Sequence, residues 1–205
     1  DALKGDPVLQ TKGGHNHAGE ETCQLNTEEI KKWISNLDGI SAFAIASQFA
    51  TRNAAHEVKI IELIKGLTDK PITASHQLSS KLNGPRRALT AVLNARLIGI
   101  IDQLISRCEI TLSRMSINAP LMVVRGDGAL ISSSEAREKP IETILSGPAA
   151  SIVGAKWMTD LTLGFVSDIG GTTTDVALLK DGRPALDPAG ARVGNFRTMV
   201  EAVAV

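Results

Sequence analysis

The chain lacks most of the features that would assign it a function quickly. It has two cysteines, Cys23 and Cys108, in 205 residues. They are too few and too far apart for a disulfide framework or a zinc cluster, and a reducing cytosol is the natural compartment. Neither charge is in excess: Lys plus Arg and Asp plus Glu stand at 22 each, which leaves no electrostatic footprint for nucleic acid or an anionic membrane. No run of about 18 uninterrupted apolar residues occurs, so no membrane span is indicated. The opening, "DALKGDPVLQ", has no basic-then-apolar layout of a secretory signal and no methionine. The close, "MVEAVAV", is an apolar strand-like run, and the two ends together suggest a piece of a longer protein. Repeats and low-complexity segments are absent. So is the phosphate-loop pattern G-x-x-x-x-G-K-[ST], and "GDGALI" fails the dinucleotide fingerprint for want of a third small residue. No Ser/His/Asp signature is visible.

What is present is a globular composition, 43% hydrophobic and 21% charged, at a length that supports one large domain or two small ones. After a loop-like start, Asn26 and Glu29 read as a capping box, with Leu25 and Ile30 as its hydrophobic staple. The helix that follows faces inward through Ile30, Trp33, Ile34 and Leu37. "AFAIAS" (42–47) reads as a strand buried on both faces. The pattern then predicts a helix from about Asn53 to Leu67 with Val58, Ile61 and Ile64 inward, and a strand at "ITASH" (72–76). Pro85 opens a long helix running to about Cys108, with a broad apolar stripe. "PLMVVRGDGALIS" (120–132) is a strand, a tight turn and a continuation. A charged helical piece from Ser134 breaks at Pro140, and "SGPAASIVGAKWM" (146–158) starts a helix with Ser146 or Gly147 as cap. Strands alternating with helices argue for an α/β fold with a largely parallel sheet. A second sheet begins near Leu163.

The stretch that asks most for an explanation is "VSDIGGTTTDVALLKDG" (166–182). Gly170 and Gly171 allow positive φ and a close approach of backbone to a ligand. Thr172, Thr173 and Thr174 add hydroxyls, and Asp168 and Asp175 flank the turn, one on each strand. Such residues can close a plain hairpin. They can equally cradle a phosphate with backbone N–H groups, and magnesium needs only one or two carboxylates beside the phosphates. Two further segments invite functional readings. "GGHNHAGEE" offers His15, His17, Glu20 and Glu21 as ligand types, but at no zinc spacing, so a solvated loop near a substrate pocket is the preferred reading. In "RGDG" (125–128), Asp127 either faces a cleft or simply closes a turn. His56 and His76 read as structural.

"VSDIGGTTTDVALLKDGRP" resembles the phosphate loop of the hydantoinase A/oxoprolinase family, within the actin-like ATPase superfamily. "NAAHEVKIIELI", "ITASHQLSSKLNGPRRALTAVLNARL", "GDGALISSSEAREKPIETILSGPAASIVGA" and "RTMVEAVAV" resemble further family segments in the same order, so the resemblance covers residues 40 to 205. It implies a partial actin-like fold: residues 1–118 from the first ribonuclease-H-like lobe, without its own phosphate hairpin; 119–162 a strand and a linker helix; 163–205 the start of the second lobe with the second hairpin. It also implies ATP and Mg2+ as cofactors. Asp168 would approach the metal, through water; Gly170, Gly171, Thr172 and Thr173 would hold the terminal phosphates; Asp175 would orient the loop.

By the same resemblance, the parent protein is expected to be an ATP-dependent enzyme acting on a cyclic amide or related small carbonyl compound, in the cytoplasm and with a possible second subunit. These 205 residues alone are expected to be inactive. Two other classes share the hairpin: a conformational ATPase of the chaperone or reactivase kind, and a small-molecule kinase. Phosphoryl transfer asks for positioning and charge neutralisation more than covalent work by the protein, which suits a site of N–H groups, threonines and aspartates.

Overall fold

The computed structural model of the chain describes residues 2–205, and these fall into two compact units, residues 2–99 and 100–205. In the first, a short antiparallel pair, β1 (Gly14–His15) and β2 (Glu21–Cys23), precedes α1 (Thr27–Ser35). Asn26 caps α1 by accepting from the Glu29 N–H at 3.3 Å, and its amide in turn donates to the Glu29 carboxylate at 3.1 Å. The capping box is therefore closed between side chains rather than through the Asn26 N–H, which is bonded to Lys12 O.

β3 (Phe43–Ile45) and β4 (Ile72–Ala74) pair in parallel, Phe43 opposite Ile72, with α2 (Ala55–Lys65) as the crossover. Ile30, Ile34, Phe43, Ile45 and Ile64 form the core of this unit, each fully buried isoleucine stabilising it by about 1.5–3 kcal/mol. The largely parallel sheet expected from the alternation of elements is not found among the described residues: the two-stranded β3–β4 ladder is the one parallel pairing. The other sheets are antiparallel, their strands joined by short turns that leave no room for a crossover. The sequence placed Val58 inward on α2, but it is 42% exposed. His56 and Glu57 take the inner face instead, because distant polar partners claim them.

α3 (Ser75–Leu78) follows β4 directly, and α4 runs from Gly84 to Arg114, past the expected end near Cys108. By length and composition alone α4 is long and apolar enough to cross a membrane. Its first turns, however, carry the buried polar residues Arg87, Thr90 and Asn94. Arg87 donates to Ser47 O and Asn94 to Thr73 Oγ1, which makes this part of α4 a core helix of the first unit.

In the second unit, β5 (Met122–Val124) and β6 (Leu130–Ser132) form a hairpin around the R-G-D-G turn. α5 (Ser133–Glu138) and a 3-10 turn at Pro140–Thr143 lead to α6 (Ser146–Thr159). The residue preceding α6 is Leu145, in the left-handed region, so Ser146 and Gly147 lie inside the first turn rather than capping it. β7 (Gly164–Ile169), β8 (Thr174–Lys180) and β9 (Arg183–Pro184) make a three-stranded antiparallel sheet. The short pair β10 (Arg192–Val193) and β11 (Phe196–Arg197) follows. The final apolar run forms no strand: its one ladder contact is the bridge between Leu186 and Val203. α6 packs on one face of β7–β8 through Ala149, Ile152, Ala177, Leu179 and Val203.

Candidate functional site

The hairpin β7–β8 carries the apolar-then-polar change along its inner face. Gly164 faces Leu179 and Val166 faces Ala177, both pairs beneath α6; the next pair on that face is Asp168 opposite Asp175. The alternation that buries Ala177 and Leu179 thus delivers two carboxylates side by side at the end of the sheet. Like charges directly opposite on paired strands repel, and no Lys, Arg or His lies within ion-pair distance of either among the described residues. One neighbour does respond: Ser151 Oγ of α6 donates to Asp168 Oδ2 at 2.6 Å. A small pit beside the two aspartates is walled by Pro148, Ser151 and Ile152 of α6 and by Val205.

At the tip, the Gly170 N–H donates to Thr173 O at 2.9 Å. That N–H closes the loop and is not free to meet a ligand. The N–H groups of Gly171 and Thr172 make no hydrogen bond within the described residues, and residues 170 to 174 are all exposed. Neither glycine adopts a positive φ. What the pair supplies is absence of bulk: a Cβ at Gly170 would come within 3.2 Å of Thr173 O, whereas one at Gly171 would meet nothing within 4 Å. The tip is therefore tight inside and bare outside. Two hard carboxylates, three threonine hydroxyls and unclaimed N–H groups form an oxygen-rich donor set with anion-facing amides, which fits a hydrated Mg2+ and a phosphate chain.

The other polar cluster lies in the first unit, and the sequence reading missed most of it. Glu57, fully buried, accepts from the Ser47 N–H at 2.7 Å and Ser75 Oγ at 2.6 Å, and from the His76 N–H at 3.0 Å and His76 Nδ1 at 2.6 Å. Buried Arg87 donates to Ser75 Oγ at 3.4 Å and to Ser47 O at 3.2 Å. The legible hint was a carboxylate on the inward side of α2, adjacent to His56. His15, expected in a solvated loop, is 2% exposed and lies against His56 with ring centroids 4.3 Å apart. The His56 ring accepts from the Gly14 N–H through Nδ1 at 3.0 Å and meets Glu21 Oε1 through Nε2 at 2.7 Å. Burial first, and the neighbouring His56 second, hold the His15 pKa below its ordinary value, with Glu21 opposing. His17 and Glu20 stay exposed, and no group of three or more metal-ligating side chains assembles among the described residues. Asp127 accepts from Arg125 and from the Ala129 N–H, so it closes its own turn.

Two family profiles match the chain: hydantoinase/oxoprolinase over residues 87–205, and the hydantoinase/oxoprolinase N-terminal region over residues 1–68. Caprolactamase subunit alpha of Pseudomonas jessenii is 26% identical over 150 residues, covering 70% of this chain and 21% of that protein. 5-Oxoprolinase 1 of Arabidopsis thaliana is 28% identical over 162 residues, covering 73% of this chain and 12% of that protein. The crystal structure of the ATP-dependent caprolactamase from Pseudomonas jessenii superposes with a TM-score of 0.83 at 24% identity, over 94% of this chain and 28% of that one. The fold class is thus the actin-like α/β architecture that the family resemblance implied. The chain spans 28% or less of the length of the curated relatives it matches.

Proposed function

The chain belongs to the hydantoinase/oxoprolinase family, and from that premise we propose that it is the part of an ATP-dependent enzyme that carries a phosphate-binding hairpin, β7–β8. The observation behind this reading is the Asp168–Asp175 pair, set opposite each other with no cation in contact, next to a tip whose Gly171 and Thr172 N–H groups are unclaimed. A plain hairpin gains nothing from two facing carboxylates, since their repulsion costs stability. A bound cation reverses that sign.

In this reading ATP with Mg2+ supplies the phosphoryl group that turns a substrate oxygen into a leaving group. The residues of the chain bind and orient. Asp168 and Asp175 would hold the hydrated metal electrostatically, Asp168 through water. The N–H groups of Gly171 and Thr172 and the hydroxyls of Thr172 and Thr173 would meet terminal phosphate oxygens. Gly170 shapes the loop through its bond to Thr173 O rather than by touching phosphate. Fixed dipoles of this kind need no reorganisation as charge develops.

The substrate class we propose is a cyclic amide or related small carbonyl compound, supported by the names of the caprolactamase and 5-oxoprolinase relatives. The designation of the former as subunit alpha supports a second subunit, and the cytoplasm is the proposed compartment. Residues 163–205 then open the second lobe, and 1–118 and 119–162 supply first-lobe and linker elements. No second D-x-G-G-T occurs in these 205 residues, so alone they are expected not to turn over ATP. The test is phosphate release by the whole protein with Mg2+ and ATP. Stimulation by cyclic amides with free phosphate as product supports the reading. Stimulation only by a protein client makes it a conformational ATPase, and a phosphorylated small molecule makes it a kinase.

A further inference from the structure

We propose that Ser151 is a positioning residue for Asp168, holding the carboxylate in the orientation that receives Mg2+ with the nucleotide; this rests on the reading of Asp168 as the metal-facing carboxylate. The Ser151 Oγ to Asp168 Oδ2 distance of 2.6 Å is that of a hydroxyl donating to a charged oxygen, one of the stronger classes of hydrogen bond. It occupies Oδ2 and leaves Oδ1, for which no partner exists among the described residues, as the oxygen turned to the metal. The donor is rigidly delivered. Ile152, the next residue, is 2% exposed in the core that α6 shares with Ala177 and Leu179, so the helix cannot roll without opening that core.

The choice of residue also points away from mere packing. A helical serine commonly bonds back to a carbonyl one turn earlier, and serine is a poorer helix former than alanine. Ser151 follows two alanines, yet its hydroxyl reaches across to the neighbouring sheet. The same bond links α6 to the ligand state of the hairpin, because a metal that draws on Asp168 also draws on Ser151.

The experiment uses the whole protein as wild type, Ser151→Ala, Ser151→Thr and Asp168→Asn. It measures ATP binding by titration calorimetry with and without Mg2+, alongside turnover against Mg2+ concentration. Loss of one charge-assisted bond should weaken Mg2+-dependent ATP binding about tenfold in Ser151→Ala and raise the Mg2+ concentration for half-maximal rate similarly. Metal-free ATP binding should stay as in wild type, and Ser151→Thr, which keeps the hydroxyl, should restore the wild-type response. If Ser151→Ala shows a wild-type Mg2+ titration while Asp168→Asn loses its response, the role of Ser151 is refuted and the phosphate site stands. If Asp168→Asn also behaves as wild type, the phosphate-site reading itself falls. A lowered melting temperature in Ser151→Ala with no change in Mg2+ response would reduce Ser151 to packing and overturn the proposal. Should Ser151→Ala not fold, Ser151→Cys, a weaker donor of similar size, carries the same comparison.

Discussion

Two carboxylate sites in this chain look alike in composition and differ in what their surroundings have done with them. Glu57 sits where the parallel strands β3 and β4 end, the edge at which open α/β sheets usually take ligands. Ser47, Ser75 and His76 supply it with four donors, and Arg87 braces two of those residues from behind. Asp168 and Asp175 sit at the end of an antiparallel hairpin with one hydroxyl between them. The first site has spent its hydrogen-bonding capacity on the fold, and the second has kept it. A buried and fully satisfied carboxylate argues for structure; two like charges facing each other with no cation in contact carry a repulsion that a bound cation would relieve.

The largest effect that would sharpen this contrast is on stability. Glu57→Ala strands the Ser47 N–H, the Ser75 hydroxyl and His76 inside the first unit, and is expected to cost about 3–5 kcal/mol. Denaturant unfolding reads it, and a loss under about 1 kcal/mol would break the claim that this cluster is structural.

At the other site the sign for stability is reversed. Asp168→Ala removes one of two facing like charges, so the unfolding midpoint should hold or rise. ATP turnover by the whole protein should fall by about 10²–10³, equivalent to roughly 2.7–4 kcal/mol of barrier. Near wild-type phosphate release would remove Asp168 from the site.

The same distinction recurs between two glycines of the second unit. A Cβ at Gly126 would lie 2.1 Å from Ile144 O and 2.9 Å from Ala202 Cβ, and one at Gly171 would meet nothing within 4 Å. Gly126→Ala is expected to cost about 3 kcal/mol, the upper end of overpacking penalties, lowering Tm by roughly 6–12 °C. Gly171→Ala should leave stability within about 0.5 kcal/mol and show itself, if at all, in nucleotide binding. Equal Tm shifts in the two variants would contradict the picture of a packed turn and a bare tip.

The smallest effect concerns acid. His15 has its pKa lowered by burial and by His56, so in a window below its ordinary value of 6.5 the unfolded chain binds more protons than the folded one. The contribution of neutral His15 is present above 6.5 and is lost as pH falls below it. The Tm of the wild type should therefore drop on acidification below that point more steeply than that of His15→Gln. Parallel Tm-versus-pH curves would mean that His15 is not buried as described.

Much of the local structure was legible in the sequence. The hairpin at 166–182 was carried by alternating apolar positions around a glycine pair, the start of α1 by Asn26 and Glu29, and the β5–β6 turn by its glycines. Two of the errors come from partners distant along the chain, and one from a bond inside a turn. Val58 was expected inside α2 on periodicity, but His56 and Glu57 turn inward because Glu21 and His76 bind them from 35 and 19 residues away. His15 was expected in solvent because its neighbours are polar, and it is buried because the β1–β2 pair lays it on His56. Gly170 and Gly171 allow positive φ, but the loop closes without it, with the Gly170 N–H bonded to Thr173 O.

The sequence by itself determined most of the helices, the β7–β8 hairpin with its polar glycine-threonine tip between two aspartates, and the family, since these rest on patterns of residues close along the chain. The tertiary structure decided which carboxylates are consumed and which are left. It brought Ser151 to Asp168 across 17 positions and enclosed Glu57 with Ser47, Ser75 and His76. A hydrogen bond depends on ångström-scale placement of a donor, and no pattern of spacing along a chain encodes that until the core has fixed how one helix lies on its sheet.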